Sequence, residues 1–202
     1  MTTTLFTNAH IATGEPGSTA ASTLPLQDIL VTDGVFTAFG PGLAQQYEAQ
    51  GGDLAAIEVV DLGGKLVCPP FCDTHLHLDY VFTARKPGAV NESGTLFEGI
   101  QRWSETKSDL TVDEIKQRAK IGIKKEMLHG VQLIRSHADV TDPNLTSLKA
   151  LLELKEELKD TVTLQIVSFP QEGMYSYEGP HGESGAELVE EGLKMGADCV
   201  GG

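Results

Sequence analysis

The sequence predicts an α/β fold in two parts, a small β-rich domain over residues 1–64 and about four β/α units over residues 65–202. In the first part, short apolar runs are separated by glycine-containing turns, a pattern typical of strands. In the second part, apolar runs alternate with segments of helical periodicity, which indicates parallel strands joined by crossover helices. This change of pattern near residue 65 sets the predicted domain boundary.

The β-rich part contains three predicted strand regions, at residues 5–11, 28–39 and 57–62. Asp33-Gly34 lies within the second region and predicts a tight hairpin turn, because both residue types tolerate the positive φ that such turns need. The connecting segments 14–23 and 40–52 are rich in Gly, Ala, Ser and Gln, and they are predicted to be loops or a short helix.

The second part alternates strands with amphipathic helices. Strands are predicted at residues 65–77, a range that includes the loop that follows, and at 131–139, 161–169 and 197–200. Helices are predicted at residues 94–107, 112–129, 144–159 and 187–195. Thr111 and Glu114 have the spacing of a capping box, which favours a helix that begins at residue 112.

Composition and charge exclude several classes of protein. The chain has 29 Asp and Glu against 15 Lys and Arg, and its formal charge of −14 repels phosphate groups, so no nucleic-acid or anionic-membrane partner is expected. No apolar run approaches the ~18 residues of a membrane-spanning helix. Three cysteines do not make a disulfide framework, and residues 1–14 lack the features of a signal peptide, so a cytoplasmic protein is expected.

His75 and His77 give the strongest indication of chemistry. On an extended backbone, side chains two residues apart lie on the same face, so both imidazoles can bind one metal ion. Neutral imidazole suits Zn²⁺ and Fe²⁺, and a hydrolytic site needs about two further ligands and an open position for water. The pair ends the first strand of the β/α series, where barrel enzymes carry their active sites. The alternative is a packed pair of histidines at a strand end.

Three further residues are candidates for supporting roles. Asp79 could orient one of the two histidines, or it could cap the loop that follows. His137 and Asp139 lie two residues apart at the end of the next predicted strand, so they could support the metal and its water or hold the substrate. For this second pair the alternative is a buried structural network.

Gln171 and Glu172 directly follow the third predicted strand of the second part. A glutamine carboxamide offers one donor and one acceptor, which matches the N–H and C=O edge of a cyclic amide or a pyrimidine. Glu172 could hold that amide in register. By itself, however, the sequence Gln-Glu-Gly is also an ordinary turn sequence.

Several longer segments resemble the bacterial cytosine deaminases of the amidohydrolase superfamily. They are Ser93–Ile100, Arg102-Trp103, Leu145–Lys155, Leu164–Gly173 and Tyr175–Tyr177, and the resemblance runs from about residue 60 to the last residue. The resemblance implies the N-terminal half of a metal-dependent (β/α)₈ TIM barrel, preceded by a small β-rich, sandwich-like domain. It also implies that His75 and His77 are ligands of one divalent metal ion, Zn²⁺ or Fe²⁺, and that Gln171 binds substrate.

The same resemblance implies a function, the hydrolytic deamination of cytosine to uracil and ammonia by a cytoplasmic homo-oligomer that acts on a small heterocycle. Residues 80–91 depart from the family pattern, and a loop at this place borders the substrate pocket. A deaminase of creatinine, isoguanine or a substituted triazine therefore stays open, as does a cyclic-amide hydrolase.

Length sets a further expectation. The 138 residues that follow residue 64 are fewer than the ~250 typical of an eight-unit barrel. The resemblance implies that the remaining metal ligands and the catalytic acid lie after Gly202, so this chain alone is expected to have an incomplete metal site and little or no catalysis. An inactive truncated fragment or a half-barrel binding module is the alternative from another class.

Overall fold

The computed structural model describes residues 2–12 and 24–201. The predicted loop at residues 14–23 lies outside the described residues. The chain divides into two compact units, Met1–Pro69 and Pro70–Gly202.

The first unit is a five-stranded sheet with one short helix. Its elements are β1 (Thr3–Ile11), β2 (Leu26–Thr32), β3 (Val35–Gly40), α1 (Leu43–Ala49), β4 (Glu58–Asp61) and β5 (Leu66–Val67). The strand order is β3-β2-β1-β4, with β5 also paired to β1; β1, β2 and β3 are antiparallel, whereas β4 and β5 run parallel to β1. Asp33 and Gly34 have φ values of 50° and 78°, which confirms the predicted hairpin turn.

The second unit is a parallel sheet with helical connections. Its elements are β6 (Phe71–Leu76), α2 (Leu96–Lys107), α3 (Val112–Leu128), β7 (Val131–Asp139), α4 (Thr146–Glu157), β8 (Thr163–Phe169), α5 (Gly185–Met195) and β9 (Cys199–Val200). The strand order β6-β7-β8-β9 follows the order along the chain, and every pair is parallel. The predicted α/β class and its crossover helices are confirmed.

One predicted strand is wrong. Residues 65–77 form two strands, and these pair in different sheets: β5 with β1 in the first unit and β6 with β7 in the second. Pro69 and Pro70 separate the two strands. Proline has no backbone N–H and cannot donate to a strand ladder, so the apolar pattern continues through this segment while the hydrogen bonding does not.

The core of the second unit lies between the sheet and its helices. Leu148, Leu151 and Leu154 project from one face of α4 and are fully buried, together with Ile134 on β7 and Ile166 on β8. The spacing of three residues places these side chains on one face of the helix. None of the helices in the part of the chain that the structure describes is long and apolar enough to cross a membrane.

Two helices of the second unit begin with a complete capping box. Thr111 and Glu114 satisfy each other's backbone N–H groups at the start of α3, as the sequence predicts. Ser184 and Glu187 make the same arrangement at the start of α5, which begins at Gly185, two residues before its predicted start. The side-chain caps satisfy N–H groups that the first turn of a helix leaves without partners.

The register of the parallel strands brings their carboxyl ends to one edge of the sheet. Asp139, the last residue of β7, lies opposite Phe169, the last residue of β8. Leu76, at the end of β6, lies opposite Ser136 on β7. Residues that follow these three strands therefore meet in one place, the edge at which β/α proteins build their binding sites.

We expect the substitution Leu151→Ala to lower the free energy of unfolding of the second unit by roughly 2–5 kcal/mol, because it leaves a cavity at a fully buried position. Chemical denaturation followed by circular dichroism measures the change. Ile121→Ala on α3 is the matched control, because the Ile121 side chain is about half exposed, and its effect should stay within about 0.5 kcal/mol. Equal effects of the two substitutions would contradict the assignment of the core.

Candidate active site

A cleft of about 610 Å³ opens at the carboxyl ends of β6 and β8. Its polar lining comes from His75, His77, Tyr80, Asn91, Thr95 and Gln171. Its apolar lining comes from Leu96, Ile100 and Trp103 of α2 and from Phe169. The cleft therefore contains both predicted metal ligands and the predicted substrate-binding residue. A smaller cavity of about 250 Å³, beside Cys72 and Arg135, contains none of the predicted site residues.

His75 and His77 converge in this cleft. Their Nε2 atoms lie 3.3 Å apart. Burial, together with the nearby rings of His137 and His75, lowers the pKa of His77 to about 4, so that this imidazole is neutral at pH 7. The His77 ring stacks on Tyr80 at 4.6 Å between ring centroids, and this contact helps to fix its orientation.

The geometry of the two histidines fits a shared metal ion. Two nitrogens at ~2.0–2.1 Å from a tetrahedral Zn²⁺ are ~3.4 Å apart, close to the observed 3.3 Å. The Nδ1 atom of His77 is buried and has no hydrogen-bond partner within the described residues. Among residues 2–12 and 24–201, no group of three or more His, Cys, Asp or Glu side chains is placed to hold a metal. The pair can therefore supply two ligands of a site that needs more.

His137 lies beside this pair. Its ring stacks on His75 with 4.0 Å between the centroids, and its side chain is largely buried at the end of β7. Burial and the neighbouring His75 lower the pKa of His137, so it is also neutral at pH 7. His137 is therefore a direct neighbour of His75, and a role in supporting the metal stays a prediction.

Asp139 is the centre of a buried network, as the alternative interpretation of the sequence expects. Its carboxylate is 1% exposed and accepts hydrogen bonds from Trp103 Nε1 at 2.7 Å, Lys107 Nζ at 3.1 Å and the Thr141 backbone N–H at 2.8 Å. No pattern in the sequence indicates that Lys107 belongs to this network. A lysine in the last turn of a helix is common and gives no signal of such a role.

Asp79 connects two strand ends. It is fully buried, and its carboxylate accepts hydrogen bonds from the Asp139 backbone N–H at 2.9 Å and from the Tyr80 backbone N–H at 3.1 Å. Burial raises the pKa of Asp79 to about 7. Within the described residues its carboxylate makes no hydrogen bond to either His75 or His77. These contacts agree with a loop-capping role, and a role in orienting the histidines stays a prediction.

Gln171 and Glu172 occupy a tight turn after β8. The turn is closed by a 2.9 Å hydrogen bond from the Gly173 N–H to the Pro170 carbonyl, so Gln171 and Glu172 are its two central residues. Gln171 lines the cleft. The Glu172 carboxylate accepts hydrogen bonds from Ser104 Oγ and from Lys107 Nζ, the latter at 2.6 Å.

The electrostatics of Glu172 follow from those contacts. Burial favours the protonated form, but the hydrogen bonds from Lys107 and Ser104 outweigh it and hold the pKa of Glu172 below its ordinary value. Glu172 is therefore ionised at pH 7 and directed at α2. These contacts join the Glu172 carboxylate to α2 and do not involve the Gln171 side chain. The predicted role of Glu172 in holding the Gln171 amide therefore stays a prediction.

The loop at residues 80–91 contributes both of its ends to the cleft, through Tyr80 and Asn91. Asn91 donates to the Thr95 carbonyl at 2.8 Å and accepts from the Gly94 N–H at 2.9 Å, which ties the loop to the start of α2. The Thr95 side chain in turn caps α2 by accepting from the Glu98 N–H. The segment in which the sequence departs from the resembled family thus borders the cleft.

Comparison with known proteins shows that the chain is similar to amidohydrolases. The sequence model of the amidohydrolase family matches residues 58–195. The chain is 35% identical over 147 residues to N-isopropylammelide isopropyl amidohydrolase of Pseudomonas sp. (strain ADP), and this alignment covers 71% of the chain and 35% of that relative.

Two solved structures are similar over almost the whole chain. The 5-methylcytosine deaminase from Klebsiella pneumoniae, liganded with 5-fluorocytosine, has a TM-score of 0.79 and 39% identity, covering 98% of this chain and 43% of that one. The N-isopropylammelide isopropylaminohydrolase from Burkholderia multivorans has a TM-score of 0.73 and 24% identity, covering 99% and 44%, and supports the fold alone. The chain therefore spans less than half the length of these proteins and matches their amidohydrolase barrel fold in part.

We expect the substitution Trp103→Phe to destabilise the second unit by about 1–3 kcal/mol, because it keeps most of the buried ring but removes the N–H that Asp139 accepts. Thermal or chemical unfolding measures the loss. Phe97→Leu on the same helix is the control, since Phe97 is 83% exposed, and it should have almost no effect. An unchanged stability of the Trp103 variant would argue against a strong bond to Asp139.

Proposed function

Because the chain belongs to the amidohydrolase family, we propose that the whole protein hydrolytically deaminates a small nitrogen heterocycle, with cytosine as the first substrate to test. One observation carries the proposal: the Nε2 atoms of His75 and His77 lie 3.3 Å apart in a cleft that Gln171 also lines. The two imidazoles would hold a metal that activates water, and the carboxamide would hold the ring. Members of this superfamily are generally metal-dependent.

In this proposal His75 and His77 hold one divalent ion, Zn²⁺ or Fe²⁺, since both metals suit imidazole. When bound, such an ion supplies the nucleophile, because it lowers the pKa of water toward ~7. The low pKa of His77 supports this role, since a neutral imidazole keeps a lone pair for the ion at pH 7. Further ligands and the proton-transfer group must come from other parts of the whole protein.

Gln171 orients the substrate in this proposal. Its carboxamide can donate to the ring carbonyl and accept from an adjacent ring N–H, which fixes the ring in one orientation and directs the amino-bearing carbon toward the histidines. Ile100, Trp103 and Phe169 provide the apolar surface on which a flat ring packs and from which water is excluded. The residues of this chain thus bind and orient, whereas the ion supplies the reactivity.

A second substrate class is favoured by one comparison. The name of the Pseudomonas relative at 35% identity describes N-isopropylammelide as its substrate. The chemistry is the same, the hydrolytic replacement of an amine on an aromatic ring carbon by oxygen. Leu96 and Ile100 on α2 line the cleft and could contact an alkyl substituent on such an amine. An alkylaminotriazine is therefore the alternative substrate, and creatinine, isoguanine and cyclic amides complete the set to be tested.

For the whole protein we propose a cytoplasmic homo-oligomer with a small-molecule substrate. Cys68, Cys72 and Cys199 are free thiols, as a reducing compartment requires. The opposite possibility is that the chain acts as a half-barrel binding module without catalysis. Turnover by the whole protein, compared with ligand binding without turnover, separates the two.

We expect His75→Ala and His77→Ala to reduce bound metal and deaminase activity of the whole protein by at least ~100-fold, because each removes a metal ligand. Elemental analysis and ammonia release measure the two effects. His181→Ala is the control, since His181 is exposed in the structure, and it should retain metal and activity. Chelation should likewise abolish turnover, with recovery on addition of Zn²⁺ or Fe²⁺. A variant lacking His75 that keeps metal and turnover would refute the ligand assignment.

We expect Gln171→Leu to lower kcat/KM for the preferred heterocycle by roughly 10- to 100-fold while bound metal is unchanged, because it removes hydrogen bonds to the ring and little volume. Gln101→Leu on the exposed face of α2 is the matched control. Initial rates with cytosine, isoguanine, creatinine and an alkylaminotriazine select the substrate. Equal rates for the Gln171 variant and the unsubstituted protein would exclude Gln171 from substrate binding.

A further inference from the structure

Lys107 connects three elements that surround the cleft. It lies at the end of α2 and its side chain is 11% exposed. Its Nζ lies 3.1 Å from Asp139 Oδ2, 3.0 Å from Thr141 Oγ1 and 2.6 Å from Glu172 Oε1. An ammonium group has three N–H donors, so these three oxygens can use all of them.

The three partners of Lys107 belong to two segments, neither of which is α2. Asp139 and Thr141 lie at the end of β7 and just beyond it, Glu172 lies in the turn after β8, and Lys107 itself lies in α2. Residues of α2 from Leu96 to Trp103 line the cleft, and Gln171 precedes Glu172 in the closed turn. Lys107 therefore fixes the helix that forms one wall of the cleft relative to the turn that carries Gln171.

We propose that Lys107 is a positioning residue for substrate binding, which holds Gln171 and the α2 wall at a fixed separation through the Asp139 and Glu172 carboxylates. The inference rests on the proposed function for its substrate, because it assigns Lys107 to the recognition of the same ring. Lys107 does not line the cleft, so it acts through Glu172 and the turn.

The charges explain why a lysine is required. Asp139 and Glu172 are both directed at the same ammonium, and Asp139 is almost completely buried. Without the cation, the buried Asp139 carboxylate would be left beside the Glu172 carboxylate, whose side chain is 30% exposed, and the turn would have to move to relieve the repulsion. Ser104 and Trp103 donate hydrogen bonds to the same carboxylates but carry no charge that could balance them.

The chain contains a close control for Lys107. Lys116 on α3 also bridges two carboxylates, Glu153 and Glu157 of α4, and its side chain is 15% exposed. None of these three residues lines the cleft. Removing the charge of Lys116 therefore reproduces the loss of a doubly paired, largely buried lysine without disturbing Gln171 or α2.

The test compares Lys107→Met with Lys116→Met in the whole, metal-loaded protein. We expect Lys107→Met to raise KM about tenfold while kcat changes less than about threefold and bound metal stays constant. Lys107→Arg keeps a cation at this position and should recover most of the KM, to within about threefold of the unsubstituted protein. Lys116→Met should leave KM unchanged.

A second measurement does not depend on catalysis. Hydrogen exchange followed by mass spectrometry reports on the Gly173 N–H, which closes the turn by bonding to the Pro170 carbonyl. We expect a peptide that covers residues 170–176 to exchange faster in Lys107→Met and at an unchanged rate in Lys116→Met. Glu172→Gln, which weakens the ion pair but keeps its shape, provides the same test if Lys107→Met does not fold.

The outcomes separate this inference from the proposed function. If the unsubstituted protein deaminates no heterocycle, the proposed function fails, and exchange in the turn alone decides whether Lys107 positions Gln171. If the protein is active and Lys107→Met alters neither KM nor exchange, the inference is overturned. Faster exchange with an unchanged KM also overturns it, because Lys107 would then stabilise the turn without influencing substrate binding.

Discussion

Asp139 has a charged side chain that is almost completely buried at the end of β7, and a carboxylate in such a place is stable only when donors surround it. Two of the donors, Trp103 and Lys107, come from α2, and a third is the backbone of Thr141. Because these bonds must be made, α2 is held against the strand ends, where its preceding turns line the cleft. The backbone N–H of Asp139 donates a hydrogen bond to the Asp79 carboxylate, so the loop after β6 is also held at the end of β7.

Most of the secondary structure could be predicted because its signals are local. The helix that begins at Val112 is predicted by a capping box at its first turn and by the spacing of apolar residues along its length. The error at residues 65–77 has a non-local cause. The apolar pattern continues through Pro69-Pro70, but β5 finds its partner in β1, more than fifty residues earlier, and β6 finds its partner in β7. The residues within a short segment do not determine which distant strand that segment will pair with.

The candidate site divides in the same way. His75 with His77, and Gln171 with Glu172, are visible in the sequence because each pair is adjacent or nearly so. Lys107 lies 32 and 65 positions from the two carboxylates that it joins, and no spacing rule connects such residues. The extended backbone that places His75 and His77 together reaches the residue directly after β6 but not Asp79, which lies in the turn that follows.

In the proposed function, reactivity and selectivity are assigned to separate parts of this unit. The two histidines belong to the end of β6 and to the residue after it, whereas the surface that a ring would touch comes from α2, the turn after β8 and both ends of the loop at residues 80–91. A change in the loop or in the exposed turns of α2 leaves the strand register, and therefore the 3.3 Å approach of the imidazoles, as it is. Such a separation agrees with the similarity of the chain to proteins whose names describe different substrates, a 5-methylcytosine deaminase and an N-isopropylammelide hydrolase. Under the proposed function, the fold keeps one reactive centre while the surrounding helix and loops select the ring.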